Sequence, residues 1–130
     1  MRIALVLLWV ILTGDLVVVD GDTIYQGVRK YRMTNYDTPE YFPRAKCQAE
    51  HDLAEKAKQR LADLIQRCGH EIKPLGTSCK YGRECAILLV GGKDIAERAV
   101  LEGWGQYWQG RSPKPDWCPA PVQLNFKPGC

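Results

Sequence analysis

The sequence predicts a mainly β domain with α-helices: five short strands forming a small barrel, with two helices packed against it. Three observations predict this. Short apolar or alternating runs recur, turn residues separate them, and one long stretch of helical periodicity stands between the third run and the fourth. At 130 residues the chain is long enough for a single domain's core. Its composition is that of a globular protein, 45% hydrophobic and 25% charged, with a pI near 8.5. A net charge of +3 is too small to mark a nucleic-acid binder, although local clustering can still build a basic groove.

Met1-Arg2 precedes the apolar run Ile3–Leu12, one positive charge ahead of a stretch too short to span a bilayer comfortably. Residues 1–14 are therefore read as a signal peptide. Gly14 serves as the small residue before the cut, while Leu12 is a poor match two positions earlier. The alternative is a buried first strand extended backwards. Removing the segment lowers the formal charge from +3 to +2, because Arg2 is its only charged residue.

Leu16–Val19 is β-branched and apolar, a central strand. Asp20-Gly21-Asp22 is a tight corner into Thr23-Ile24-Tyr25, and Gln26-Gly27 a hairpin turn into a third strand, Val28–Met33. Asp37-Thr38-Pro39-Glu40 interrupts the strands, since proline removes a ladder donor and restricts its predecessor. A helix is expected from about Arg44 to Cys68. Leu53, Ala54, Ala57, Leu61, Leu64, Ile65 and Cys68 recur at helical spacing, and Gly69 ends it. Glu55, Lys56, Lys58, Gln59 and Arg60 are read as its solvated face. Strands follow at Glu71–Leu75 and Arg83–Val90, then a Gly91-Gly92 turn and a short helix, Ile95–Glu102, capped by Asp94 and stopped by Gly103. Residues 112–130 hold five of the eight prolines and two cysteines, and read as an irregular tail tied down by disulfides. The order β-β-β-α-β-β-α suggests an OB-like barrel with two helices, an architecture that often holds nucleic acid on one face. The domain is placed at residues 15–111, with no internal repeat.

Six cysteines, Cys47, Cys68, Cys79, Cys85, Cys118 and Cys130, in a short chain with an export signal read as a disulfide framework. Fifteen pairings are possible. A Cys47–Cys118 bridge is the one expected, tying the tail to the helix start. A zinc site would want close Cys-x-x-Cys pairs or histidine partners, and His51 and His70 have no such spacing; both are expected at the surface. Arg29, Lys30, Arg98 and Arg111 are read as ordinary solvated charges. Trp104, Tyr107 and Trp108 could stack on bases or pack in the core, and Trp117 is expected to pack the tail down.

Three segments carry chemistry: Asp20-Gly21-Asp22-Thr23, Arg32 through Glu40, and Lys80-Tyr81-Gly82-Arg83. Each alone is weak; their order on one barrel is what makes them informative. Hydrolysing a phosphodiester needs stabilisation of an anionic transition state, which arginine's charged planar fork supplies. A hard divalent cation does similar work and wants oxygen ligands. A carboxylate within reach can take the proton of an attacking water. Neither an EF-hand nor a phosphate loop fits, since Ile24 and Tyr25 spoil the first and the glycine spacing before Lys93 spoils the second.

These three motifs resemble those of the staphylococcal nuclease-like (thermonuclease) family, over roughly residues 15–108. Asp20–Thr23 matches the family's Asp-Gly-Asp-Thr, Arg32 with Asp37–Glu40 its Arg and Asp-x-Pro-Glu, and Tyr81–Arg83 its Tyr-Gly-Arg. The resemblance implies that Asp22, Asp37 and the Thr38 carbonyl hold Ca²⁺, and that Glu40 activates the attacking water. It implies that Arg32 and Arg83 bind the scissile phosphate, and that Lys80 and Tyr81 contact a neighbouring one. It further implies cleavage of DNA and/or RNA at the 5′ oxygen, leaving 3′-phosphate ends. Cys79 departs from the aspartate that relatives often carry, the hairpin is short, and the tail after Trp108 replaces a longer C-terminal helix. The expected protein is thus a secreted or periplasmic nuclease, with no stable membrane insertion and no obligate protein partner. The alternatives are a non-catalytic OB-like nucleic-acid-binding module and a structural, disulfide-stapled envelope protein.

Overall fold

Strand formation starts where the apolar run predicts it. The structure is a computed structural model that describes residues 16–119 and 122–130; the segment read as a signal peptide lies outside them. β1 (Leu16–Asp20), β2 (Thr23–Gln26) and β3 (Arg29–Met33) form an antiparallel meander, followed by the two-residue β4 (Tyr36–Asp37). The second turn is Gly27-Val28 rather than Gln26-Gly27. Gly27 takes φ 59°, and Val28 stands fully exposed at the tip instead of opening the strand.

Helix α1 runs Gln48–Cys68, starting four residues later than expected. The amides of Arg44 and Ala45 both donate to the Tyr41 carbonyl in a turn of their own, and Cys47 caps the helix by accepting from the Glu50 amide. Leu53, Ala54, Ala57, Leu61 and Leu64 are buried at helical spacing, as an amphipathic stripe requires. Arg60, read as solvated, is instead buried against Glu102.

β5 (His70–Cys79) and β6 (Arg83–Val90) make a long hairpin. β5 extends past Leu75 because its ladder, irregular around Pro74 and Gly76, resumes at Ser78 and Cys79. β7 (Lys93–Asp94) pairs with β6, α2 spans Ile95–Glu102, and β8 (Gln106–Tyr107) pairs with β4. Among the described residues the fold is therefore mixed α and β: a six-stranded sheet of order β1-β2-β3-β6-β5 with β7 beside β6, plus two helices. β3 and β6 are parallel. Among these residues the sheet ends at β1 and β5 and is not closed. Proline and an interior glycine in β5 are the residues sheets place at edges and bulges.

The core joins Ile24, Met33, Tyr36, Leu61, Leu64, Leu88, Ile95 and Trp104, so Trp104 is a packing residue, set edge-on to Tyr36 with centroids 6.4 Å apart. Disulfides link Cys47 to Cys118, Cys68 to Cys130 and Cys79 to Cys85, with Cα separations of 6.2, 5.6 and 5.1 Å. Trp117 is buried beside the first. Arg98 is not a free surface charge: it pairs with Glu102 at 2.7 Å and donates to the carbonyls of Lys127 and Gly129. His51 is half-buried, accepting from the Phe42 amide and stacked on its ring. Among the described residues no helix is long and apolar enough to cross a membrane.

Candidate active site

The three motifs sit at element ends that converge. Asp20 ends β1, Asp22 precedes β2, Arg32 lies in β3 opposite Thr23, and Asp37 ends β4. Gly21 makes the first corner possible: a Cβ there would lie 2.8 Å from Thr38 Cγ2. Lys80, Tyr81 and Arg83 come from the β5–β6 hairpin, whose tip holds Tyr81 at φ 64° and Gly82 at φ 71°, closed beneath by the Cys79–Cys85 bridge. Positive φ is uncommon for a tyrosine and projects its ring into solvent here. Asp22, Arg32, Asp37, Glu40, Lys80, Tyr81 and Arg83 all line one cleft of about 600 Å³. Thr38 lies behind its wall, donating its amide to Asp22 Oδ2 at 3.2 Å. A smaller cavity of about 150 Å³, between α1, α2 and the C-terminus, holds none of these residues.

Arg32 is buried in the cleft floor. Its Nη2 reaches Asp22 Oδ2 at 3.2 Å and Asp37 Oδ1 at 3.4 Å, while Nη1 donates to the Met33 and Tyr36 carbonyls. Arg83 is less confined: Nε donates to the Lys80 carbonyl at 2.8 Å and Nη1 to Thr23 Oγ1 at 3.3 Å, and its guanidinium lies 5.3 Å from the Tyr81 ring. Glu40 donates its amide to Glu50 Oε2 at 2.9 Å, and its own carboxylate accepts from Lys114 Nζ at 3.0 Å.

Acidic groups crowd this wall. Burial and the neighbouring Asp22 push Asp20 up to about 8. The same two causes push Asp37 up to about 6, against the pull of Lys114, Trp117 and Arg32. Among the described residues no three acidic, imidazole or thiol side chains are grouped as a metal site. The set the motifs imply is smaller: two carboxylates and a backbone carbonyl. The donor chemistry fits a hard cation, which takes carboxylate and carbonyl oxygens. Arg32 Nη2 stands between Asp22 Oδ2 and Asp37 Oδ1 as their cationic partner. Thr38 Oγ1 is buried without a hydrogen-bond partner, an oxygen left unused at this corner.

Sequence reasoning missed several members of the site. Glu50 is buried in the first turn of α1 and accepts from the amides of both Glu40 and Lys46, fixing the Glu40 backbone. An acidic residue three places after a helix cap was its only signal. From the tail, Trp117 Nε1 donates to Asp37 Oδ2 at 3.3 Å, and Lys114 reaches Glu40 and Asp37. Trp108 lines the cleft, whereas Tyr107 faces solvent. No protein-family model matches this chain, and no curated protein is similar enough to count as a match.

Proposed function

We propose that this protein is a Ca²⁺-dependent nuclease, exported, that hydrolyses phosphodiester bonds of DNA and/or RNA. The observation that carries the reading is convergence: a carboxylate, two arginines, a lysine and a paired-aspartate wall, from three separate segments, line one cleft. In this reading Arg32 and Arg83 hold the non-bridging oxygens of the scissile phosphate and stabilise the charge gathered in the transition state. Glu40 accepts a proton from the attacking water, whose oxygen bonds to phosphorus as the bond to the 5′ oxygen breaks. The departing 5′ oxygen takes a proton from solvent and Glu40 returns its own to solvent, giving 3′-phosphate and 5′-hydroxyl ends, while Lys80 and Tyr81 hold the neighbouring phosphate. Asp22, Asp37 and the Thr38 carbonyl would hold Ca²⁺, which when bound supplies Lewis-acid neutralisation of the phosphate. The same reading takes the sheet as an OB-like barrel opened between β1 and β5. Three disulfides and the apolar N-terminal run support export.

A second reading, a binding module that does not cut, draws on the ion pair between Lys114 and Glu40, which engages the proposed base. The test is digestion of plasmid DNA and RNA by oxidised protein with Ca²⁺ and with excess chelator. Calcium-dependent digestion, reduced about 10²–10³-fold in Glu40→Gln, is the expected result. Salt-sensitive oligonucleotide binding without digestion favours the binding module. A Glu40→Gln protein that cuts as fast as the parent removes Glu40 from its role.

A further inference from the structure

Lys114 belongs to none of the three motifs, yet its ammonium lies in the middle of their residues. Nζ is 3.0 Å from Glu40 Oε1, 3.6 Å from Asp37 Oδ1 and 5.5 Å from the centre of the Trp108 ring. The segment that carries it is anchored on the site side. Pro113 and Pro115 flank it, which fixes φ at both and disfavours helical backbone at Lys114, so the segment has fewer conformations to lose. Three residues on, Trp117 is buried with its indole N–H on Asp37, and Cys118 is bonded to Cys47 at the start of α1. The tail thus forms one rim of the cleft.

We propose that Lys114 is a third phosphate-binding cation of this site, exchanging its ion pair with Glu40 for a non-bridging oxygen of the bound phosphodiester. The inference rests on the nuclease reading above. Arg32 is positioned by two carboxylates and two carbonyls, and Arg83 by the Lys80 carbonyl and the Thr23 hydroxyl. Lys114 is held only through its ammonium, by two carboxylates and the Trp108 ring, its side chain is 46% exposed, and a lysine stem can swing its point charge through several ångströms. Before substrate enters, the ammonium balances the acidic wall and engages Glu40. An arriving phosphate competes for the ammonium, and its binding releases the carboxylate beside the water that Glu40 must deprotonate. Substrate binding and liberation of the base are then one event.

The experiment measures kcat and KM separately on a labelled single-stranded oligonucleotide with Ca²⁺, at several salt concentrations, for the parent, Lys114→Met and Lys114→Arg. Thermal melts confirm that the variants fold, as a half-exposed tail residue allows. Lys114→Met is expected to raise KM roughly tenfold, the loss of one charge-assisted hydrogen bond. It is also expected to flatten the dependence of log KM on log salt by about 0.7, one phosphate contact on a single strand. Lys114→Arg restores most of both. Unchanged KM and salt slope in Lys114→Met overturn the proposal while leaving the nuclease reading intact. Faster cleavage by Lys114→Met also overturns it, since the lysine would then be a plug. A parent that does not cut defeats the nuclease reading, and this inference with it.

Discussion

Arg32 and Arg83 carry the same proposed role in different surroundings, and the difference is measurable. Arg32 is one partner of a buried pair with Asp22 and Asp37. Arg32→Ala removes the buried cation between those carboxylates, leaving Asp37 to Lys114 and Trp117 and Asp22 to the Thr38 amide and the Thr23 hydroxyl, a loss of about 3–5 kcal/mol of stability in chelator. Arg83 contacts a carbonyl, a hydroxyl and the exposed Tyr81 ring at the cleft edge, and no carboxylate among the described residues. Arg83→Ala is expected to unfold in urea within roughly 1 kcal/mol of the parent. Its cleavage rate should nonetheless fall by about 10²–10³. Denaturation midpoints and kcat measured side by side check this; an Arg83→Ala protein that folds and cuts normally removes Arg83 from the chemistry. The aspartates and arginines were legible from their motifs. Lys114 and the contact of Trp117 with Asp37 were not, because both depend on the tail folding back across more than 70 residues, and Glu50 left only the weak signal of an acid in a helix's first turn.

At the scale of elements, the two helices are joined through one carboxylate. Glu102, at the end of α2, accepts both Nε and Nη2 of Arg60 from α1 at 2.8 and 2.7 Å, together with Arg98, the Trp104 indole and the Lys127 amide. Burial alone would raise its pKa, but these donors hold it down at about 2. A carboxyl whose folded value lies below its unfolded one stabilises at neutral pH and loses that contribution as acid protonates it. The window runs from roughly pH 5 down to the folded value near 2. Glu102→Gln is expected to be about 3–5 kcal/mol less stable than the parent at pH 7, with the gap narrowing below pH 4. Urea midpoints across pH test it, and a gap constant with pH would mean that packing rather than charge holds the helices together. Helical spacing located α1, and its cap and glycine stop located α2. Both Arg60 and Arg98 were nonetheless read as solvated, because the first pairs with a carboxylate 42 residues away and the second with carbonyls of the tail, 29 residues or more on.

The whole molecule is closed by covalent bonds at its tail. Cys47–Cys118 and Cys68–Cys130 span 71 and 62 residues, and loops of that size constrain the unfolded chain by about 4 kcal/mol each. Replacing Cys68 and Cys130 with alanine is expected to lower the unfolding free energy by about 2–5 kcal/mol. Calcium-dependent cleavage below the melting temperature should survive, because that bridge lies beside the smaller cavity and away from the cleft. Loss of cutting in a protein that remains folded would show that the cleft depends on this end of the tail. By itself the sequence determined the first three strands, the two of the β5–β6 hairpin, the two helices with their glycine stops and the corner at Asp20-Gly21-Asp22, but not the two-residue β4, β7 and β8. Turn chemistry, capping and periodicity are local properties, written within a few residues of where they act. The tertiary structure decided that the sheet ends at β1 and β5, which cysteines meet, and that a proline-rich tail supplies part of the cleft. Lys114 touches Glu40 across 74 residues, and Trp117 touches Asp37 across 80. Such contacts depend on how every intervening element packs, and no local pattern in the chain encodes them.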